Sequence, residues 1–270
     1  MGNFGVKHLT GLAWLFSLII IALVVLLVIK KKYNKGENYD RAVVRYTAYF
    51  MWAWEIIKTI VMINADQPGG GYGPVGYYPF WMAPFHICSM GLYAFLIVGS
   101  KKGGKLSEFV KPFAFGVMII VTSILLVIPD SAGILGVTPD WSWTYDNILP
   151  YQSFLYHGTL VFVPLYMILS GFYKPQWKDI PKAIAVLCIV AAGAQILNFT
   201  FEGSNADFMT LRYGRGNPFA FLLSSSTPWL YYVILSAVAM GGTALVITIV
   251  ILIQKLIAKN TKKKAEQIAE

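Results

Sequence analysis

The chain alternates between long apolar blocks and shorter polar segments, and seven of the blocks are about as long as a lipid bilayer is thick. An α-helix needs about 20 apolar residues to cross a hydrocarbon core of about 30 Å, because each residue adds about 1.5 Å. The predicted spans are 9–29, 44–63, 79–98, 112–128, 150–172, 182–200 and 228–254. The pattern therefore predicts an all-α fold, a polytopic membrane bundle of seven transmembrane helices.

Composition and cysteine usage agree with this class. Hydrophobic residues make up 57% of the chain and charged residues only 13%. Span 1 is not typical of a cleaved signal peptide, because its apolar core is too long and a run of three lysines closes it directly. We therefore predict a seven-helix transmembrane domain over 1–258 and a basic cytoplasmic tail over 259–270. Cys88 and Cys188 both lie within spans, so an extracellular disulfide framework is excluded.

The distribution of Lys and Arg predicts the orientation. Eighteen basic residues fall on the side that carries the segments after spans 1, 3, 5 and 7, whereas only Lys7, Arg212 and Arg215 fall on the other side. Basic residues are retained on the cytoplasmic side, so the N-terminus is predicted to be outside and the C-terminus cytoplasmic. The basic residues behind the net charge of +9 are then expected to face the anionic inner leaflet, so this charge does not indicate nucleic acid as a partner.

The predicted outer loops are long, aromatic and rich in Gly and Pro. They include 67–74, 139–146 and 201–228. Loops of this length in a compact protein are often functional, which favours a lid over a site. Trp and Tyr also prefer the headgroup layer, so interfacial anchoring is an equally open interpretation.

Polar residues of four spans are predicted to lie at similar depths in the outer half of the bilayer. With the rise of a regular helix, Cys88 lies about 13 Å, Glu55 about 12 Å, His157 about 10 Å and Gln195 about 7 Å below the outer ends of their spans. Asn198 is shallower on the same side. Polar groups in hydrocarbon need partners, and the nearest candidates are one another, so this level is the predicted site.

Each candidate also has a structural interpretation. Cys88 has polar neighbours, whereas Cys188 sits among apolar residues and is interpreted as a small hydrophobic side chain. His157 either acts chemically or bonds a backbone carbonyl. His86 is about 200° around a regular helix from Cys88, so the two side chains should face different ways.

The remaining polar residues have similar alternatives. Glu55 and Lys58, three residues apart on one helix, are interpreted first as an ion pair that lets both enter the membrane. Gln195 and Asn198 are typical of polar contacts between helices, with a role in the site as the alternative. Arg212 and Arg215 are candidates for binding a lipid phosphate, and interfacial snorkelling is equally compatible with their position.

Three familiar classes fit poorly. A retinal protein needs a lysine inside the last helix, and span 7 has none before Lys255. His86, Cys88, His157 and Glu55 do not have the spacing of a zinc site, so no metal and no cofactor is predicted. A transporter is expected to have inverted repeats and paired broken helices, which the sequence does not show. The polar patch can still line a half-channel, so transport stays open.

Short motifs spread along the chain resemble one family. They are Trp54-Glu55, Pro84-Phe85-His86-Ile87-Cys88, Pro129-Asp130, Tyr156-His157-Gly158, Asn198, Phe208-Met209 and Asn217-Pro218-Phe219. In order and spacing they resemble the bacterial YwaF family of integral membrane proteins, which is similar to the eukaryotic transmembrane protein 164. The resemblance implies a multi-pass protein of a bacterial plasma membrane. For the eukaryotic relatives it implies a phospholipid acyltransferase with a catalytic Cys and His, which correspond to Cys88 and His157 in this chain.

The sequence thus supports two hypotheses. In the first, His157 activates Cys88, which takes an acyl group from a phospholipid ester and passes it to a second lipid or to water, with Glu55, His86, Gln195 and Asn198 in support. In the second, a non-enzymatic transporter or channel uses Glu55, Lys58, His157 and Asn198 to line a pathway. Membrane lipids are the expected partners in the first hypothesis, and the sequence does not give the oligomeric state.

Overall fold

The computed structural model describes residues 6–64, 83–127, 148–201, 208–210 and 228–269. These ranges hold seven α-helices and one 3-10 helix, and no strand occurs within them. The α-helices are α1 (Val6–Lys32), α2 (Glu37–Asn64), α3 (Met90–Val98), α4 (Lys105–Val127), α5 (Ile148–Leu169), α6 (Asp179–Thr200) and α7 (Pro228–Ala269). The 3-10 helix is Phe208–Thr210. The all-α prediction is confirmed for the described part of the chain.

Five of these helices are long and apolar enough to cross a membrane. The apolar segments are Thr10–Lys32, Lys105–Ser123, Tyr151–Leu169, Asp179–Thr200 and Trp229–Gln267. Their outer surfaces carry large apolar side chains such as Ile20, Ile189 and Val233, which suits contact with lipid. The chain is therefore a multi-pass helical membrane protein, while the count of seven spans and the direction of the termini stay predictions.

The helices pack around α4 and α5. Helix α4 packs against α3, α5, α6 and α7, and α5 packs against α1, α2 and α4. Arg41 near the start of α2 bonds the last residue of α3, and Trp52 further along α2 meets Tyr93 one turn into α3, so α2 and α3 run in opposite directions. The short links 33–36, 99–104 and 170–178 place the ends of α1, α3 and α5 and the starts of α2, α4 and α6 at one end of the bundle. We call this the basic end.

The prediction of a regular helix across 79–98 is wrong over its first half. Helix α3 begins only at Met90, and residues 83–89 form successive turns. Pro84 has no N–H to donate and disfavours the helical conformation of Ala83, which explains why no helix forms there. The turns are closed by short-range bonds instead, from Phe85 N to Ala83 O and from Ser89 N to His86 O. Residues 79–82 lie outside the described residues.

Helix α7 is longer than the predicted span 7. It runs for 42 residues, through the predicted boundary at 258 and on to Ala269. The added segment is rich in Lys, Ala, Glu and Gln, which are good helix formers, so the helix continues past its apolar part. The described side chains along this extension, at 259–262 and 264–267, are exposed, and Lys262 pairs with Glu266 one turn on.

Charged side chains at the basic end are buried and hold the helix ends together. The Asp40 carboxylate is 2% exposed; it accepts a hydrogen bond from the Tyr166 hydroxyl at 2.7 Å and pairs with Lys30 at 2.6 Å. Lys30 also donates to the Ser170 carbonyl just beyond the end of α5, at 2.7 Å. Arg41 donates to the Val98 carbonyl at the end of α3, at 3.1 Å. These contacts satisfy carbonyls that a helix end leaves without partners.

A second buried pair lies between α5 and α6. The Tyr173 hydroxyl donates to the Asp179 carboxylate at 3.2 Å, and Lys182 bonds the same carboxylate at 2.7 Å. Burial, together with the adjacent negative charge of Asp179, raises the pKa of Tyr173 well above its ordinary value. Tyr173 therefore stays protonated and keeps donating this bond throughout the physiological pH range.

Candidate active site

His157 is a buried imidazole whose orientation is set by its own helix. Its Nδ1 lies 2.7 Å from the Ser153 carbonyl oxygen, one turn earlier in α5, and 3.2 Å from the Ser153 hydroxyl. Because a carbonyl only accepts, Nδ1 must carry the proton, and the lone pair of the neutral ring is on Nε2. Nε2 has no hydrogen-bond partner among the described residues, although the side chain is only 5% exposed. Nε2 is therefore a buried hydrogen-bond acceptor that no described residue uses.

Cys88 lies in the turns just before α3, and its thiol is buried. The Ser89 side chain lies beside the thiol. The Glu55 carboxylate and the Lys58 ammonium are both within electrostatic range of the sulfur. Cys188, interpreted from the sequence as a small hydrophobic side chain of the kind that is often buried, is instead exposed on the surface of α6.

The predicted ion pair between Glu55 and Lys58 is confirmed. Lys58 Nζ and Glu55 Oε1 are 2.5 Å apart, and both side chains are buried in the bundle. Pairing one turn apart on α2 lets two charges enter an apolar environment together. Lys58 is also within electrostatic range of His157 as well as Cys88, so it is a shared neighbour of the two predicted catalytic residues.

Three helices approach closely near Cys88 and His157. A Cβ at Gly91 would overlap Leu160 Cδ2 and lie 3.3 Å from Met118 Sδ, so glycine lets α3 approach α4 and α5 without displacing these side chains. Cys88 lies three residues before Gly91 and His157 three residues before Leu160, and both elements run toward the basic end. Cys88 and His157 therefore both lie on the side of this contact that is away from the basic end.

The depth predicted for Cys88 needs correction. The value of about 13 Å assumed the rise of a regular helix from the start of span 3. Residues 83–89 are turns, so that rise does not apply to them. The contact at Gly91 is therefore a better reference for the position of Cys88 than a count of residues from the membrane surface.

Three further buried polar atoms lack hydrogen-bond partners in the described part of the chain. They are the Tyr156 hydroxyl, the Trp52 Nε1 and the Thr122 hydroxyl. Thr122 lies one turn beyond Met118 in α4, so it belongs to the same level as His157. Sequence reasoning missed all three, because Tyr and Trp are ordinary residues of the headgroup layer and a helical Thr usually bonds its own backbone. Only the adjacency of Tyr156 to His157 signalled a role.

His86 faces a different neighbour from Cys88. Its ring lies 5.3 Å from the ring of Phe208, and the Phe85 ring lies 5.4 Å from the same residue. Cys88 belongs to the main core, whereas Phe208 forms a second small cluster with Ala83 and Ala194. The 3-10 helix Phe208–Thr210 thus covers the turns before α3, and we call it the strap.

Asn198 holds the strap in place. Its Oδ1 accepts from the Phe208 N–H at 2.8 Å, and its Nδ2 donates to the Phe208 carbonyl at 3.1 Å. Nδ2 also lies 3.5 Å from Gln195 Oε1, one turn earlier in α6. Met209 has a φ of 59°, which is unusual for a residue with a side chain and shows that the strap is held in a specific conformation. Asn198, one of the two amides predicted as helix contacts, therefore binds α6 to the strap, whereas Gln195 contacts Asn198 within α6.

Asn198→Ala is expected to destabilise the protein, because it removes both hydrogen bonds from the Asn198 amide to the main chain of the fully buried Phe208. An unsatisfied buried backbone group costs about 1–3 kcal/mol, which a titration of unfolding with denaturant in micelles can resolve. Thr200→Ala is the control, since its exposed hydroxyl bonds only the Ile196 carbonyl of its own helix. Equal stability of the Asn198→Ala variant and the control would show that the strap is not anchored by Asn198.

Several predicted site residues fall outside the described residues. Arg212 and Arg215, the candidates for binding a lipid phosphate, are among them, as are the motifs 129–130 and 217–219. Within the described ranges no group of three or more His, Cys, Asp or Glu side chains is arranged to hold a metal ion. The described part of the predicted site thus comprises Cys88, His157, the Glu55–Lys58 pair and hydroxyl groups without hydrogen-bond partners. Cys88 and His157 share Lys58 as a neighbour, and an imidazole nitrogen that carries a lone pair can act as a base.

Comparison with known proteins identifies the family of this chain. No curated protein and no solved structure gives a match. A family model described as the TMEM164 family matches residues 3–253, which is nearly the whole chain. The similarity to transmembrane protein 164 predicted from the motifs is thereby confirmed, and the chain belongs to the TMEM164 family.

Proposed function

We propose that this protein transfers acyl groups from phospholipid esters through a covalent intermediate on Cys88, with His157 as the base. The observation that carries the proposal is the state of His157: Nδ1 is tied to the Ser153 carbonyl, and Nε2 is buried without a partner. A buried, unpaired nitrogen is costly, and a site that uses it to accept a proton explains why it is kept. Cys88, which has Lys58 as a neighbour in common with His157, supplies the proton in this proposal.

The proposed reaction has two steps. In the first, the Cys88 proton passes to Nε2 of His157, the sulfur bonds to the ester carbonyl carbon, and the ester C–O bond breaks as the leaving alkoxide takes that proton. In the second, the hydroxyl of an acceptor lipid or of water gives its proton to Nε2, its oxygen attacks the thioester, and the C–S bond breaks to return the thiol. A thiol needs such a base because the thiolate is the nucleophile.

Charged groups around the site support this chemistry. Lys58 is within electrostatic range of both Cys88 and His157, so its positive charge favours the negative charge that develops during acyl transfer. Glu55 holds Lys58 in place at 2.5 Å. We further propose that Arg212 and Arg215 bind the phosphate of the lipid, that membrane lipids are the partners, and that the protein resides in a bacterial plasma membrane.

The contacts of Asn198 favour acyl transfer over transport. A pathway lined by Glu55, Lys58, His157 and Asn198 needs these groups to be available to a passing solute. Asn198 uses both atoms of its amide on the main chain of Phe208, and Glu55 is paired with Lys58. Both act as structural contacts, which leaves His157 as the group whose lone pair is unused.

The test is detection of the acyl-enzyme. The purified full-length protein is mixed with phosphatidylcholine vesicles that carry an alkyne-tagged acyl chain, and its intact mass is measured. We expect an added mass of one acyl chain that maps to Cys88 and is removed by neutral hydroxylamine, as a thioester is. Cys88→Ser is expected to lose this adduct, and Cys188→Ser, the matched control on the lipid-facing surface, is expected to keep it. An adduct that persists in Cys88→Ser contradicts the proposal.

A further inference from the structure

Tyr156 carries a buried hydroxyl that the fold itself does not use. The side chain is 3% exposed, and its oxygen has no hydrogen-bond partner among the described residues. Buried tyrosine hydroxyls normally find a partner, because the lost bonds to water are otherwise not replaced. A phenylalanine would fill the same space without that penalty. The hydroxyl is therefore a candidate for a role in binding or chemistry.

The position of this hydroxyl points to the same site as Cys88. Ser89 lies beside both the Cys88 thiol and the Tyr156 hydroxyl, although the hydroxyl is not at hydrogen-bond geometry with it. The Tyr156 oxygen is also within electrostatic range of Cys88 and Glu55. The Tyr156 side chain thus approaches the nucleophilic sulfur from α5, the helix that also carries His157.

Tyr156 and His157 together offer a ligand one donor and one acceptor. Their rings are 5.6 Å apart between centroids, and each has one polar atom without a partner, the Tyr156 O–H and the His157 Nε2. In acyl transfer the ester supplies a carbonyl oxygen that accepts a hydrogen bond, and the attacking thiol or alcohol supplies the S–H or O–H that donates to the base. Trp52 Nε1 is a second unpartnered donor, but its ring packs against Tyr93, and no contact links it to Ser89.

We propose that Tyr156 is a catalytic residue that donates its hydrogen bond to the carbonyl oxygen of the acyl group on Cys88. This inference rests on the proposed function. When the sulfur attacks, the C=O electron pair moves onto oxygen, and the Tyr156 O–H stabilises that negative charge; the pair returns when the ester C–O bond breaks. Tyr156 keeps its proton throughout, since His157 carries the proton from thiol to leaving group. A donor held ready in a site without water is most effective for such a charge.

The test compares acylation of Cys88 with its general reactivity. In Tyr156→Phe we expect the rate of acyl-adduct formation from tagged phosphatidylcholine vesicles to fall by about 10²–10³-fold, the loss typical of one oxyanion donor. Alkylation of Cys88 by N-ethylmaleimide creates no oxyanion of this kind, so its rate should match the wild type. Tyr231→Phe removes the same atom from another buried tyrosine, on α7, and is expected to acylate normally.

The acylation rates of these variants distinguish failure of the Tyr156 inference from failure of the proposed function. Acylation of Tyr156→Phe at the wild-type rate overturns the role of Tyr156 while leaving Cys88 as the nucleophile. Acylation that persists in Cys88→Ser overturns the proposed function, whatever Tyr156→Phe does. If Tyr156→Phe does not fold, 3-fluorotyrosine at position 156 keeps the shape and the hydroxyl but strengthens the donor, and a change in acylation rate of about twofold or more is expected. An unchanged rate with fluorotyrosine overturns the inference.

Discussion

His157→Asn is expected to lower the rate of acyl transfer by about 10²–10⁴-fold, the usual contribution of a general base, while the protein stays folded. Asparagine suits this test because its amide N–H can replace Nδ1 as the donor to the Ser153 carbonyl, which lies 2.7 Å from the ring. What it removes is the second nitrogen, the atom without a partner. The stability of His157→Asn should therefore be close to that of the wild type, because Nε2 makes no hydrogen bond with the described residues.

The measurement is the initial rate of acyl-adduct formation on Cys88, together with the midpoint of thermal unfolding. Ser153→Ala is the companion variant: it deletes the hydroxyl 3.2 Å from Nδ1 but keeps the carbonyl that orients the ring. We expect it to lose much less activity than His157→Asn. A His157→Asn variant that acylates at the wild-type rate would show that Cys88 finds its base elsewhere, with Lys58 as the next group to test.

Sequence alone was sufficient for the parts of the site that follow from one helix. Glu55 and Lys58 are one turn apart, so their pairing depends only on helix geometry, and the pair forms as predicted. The bond of His157 to the Ser153 carbonyl also joins residues one turn apart. Each of the seven apolar blocks likewise contains a helix, because an apolar run in a bilayer can satisfy its backbone in no other simple way.

Contacts between distant segments could not be predicted in this way. The strap is held by the Asn198 amide of α6 and covers the turns before α3. No sequence pattern in α6, in the strap or in these turns indicates that they are in contact. Pro84 disfavours a helical conformation at Ala83 and so separates these turns from a regular helix, but the predicted span 79–98 ran through it. Tyr156 is one of sixteen tyrosines, and nothing in the sequence distinguishes its hydroxyl from the others. That this hydroxyl lacks a hydrogen-bond partner among the described residues can be determined only from the structure around it.

The basic end shows a different reason for a missed feature. Its lysines and arginines were interpreted only as a signal of orientation, which treats them as side chains in solvent. Arg41 and Lys111 are instead buried and lie over the ring of Phe172, at 5.4 Å and 4.1 Å. Their partners are acidic side chains from other helices and the carbonyls at helix ends. The charges from which the orientation is predicted thus also hold the bundle together.

Asp40→Ala is expected to be the most destabilising single change at this end. It removes the partner of Lys30, at 2.6 Å, and of the Tyr166 hydroxyl, at 2.7 Å, and leaves both inside the bundle. Removing one member of a buried ion pair costs about 3–5 kcal/mol, because the remaining charge has no compensation. The measurement is the free energy of unfolding from denaturant titration in micelles.

Two controls separate the lost ion pair from the lost carboxylate volume. Asp40→Asn keeps an oxygen for the Tyr166 hydroxyl and should cost less than Asp40→Ala, since only the charge is lost. The double variant Asp40→Leu with Lys30→Met removes both charges, so it should be more stable than Asp40→Ala, because neither ion is left unpaired. At the exposed pair of Lys262 and Glu266, 3.9 Å apart, Glu266→Ala should change stability very little. If Asp40→Ala and Glu266→Ala prove equally stable, the buried pair is not what joins α1 and α2 to the end of α5.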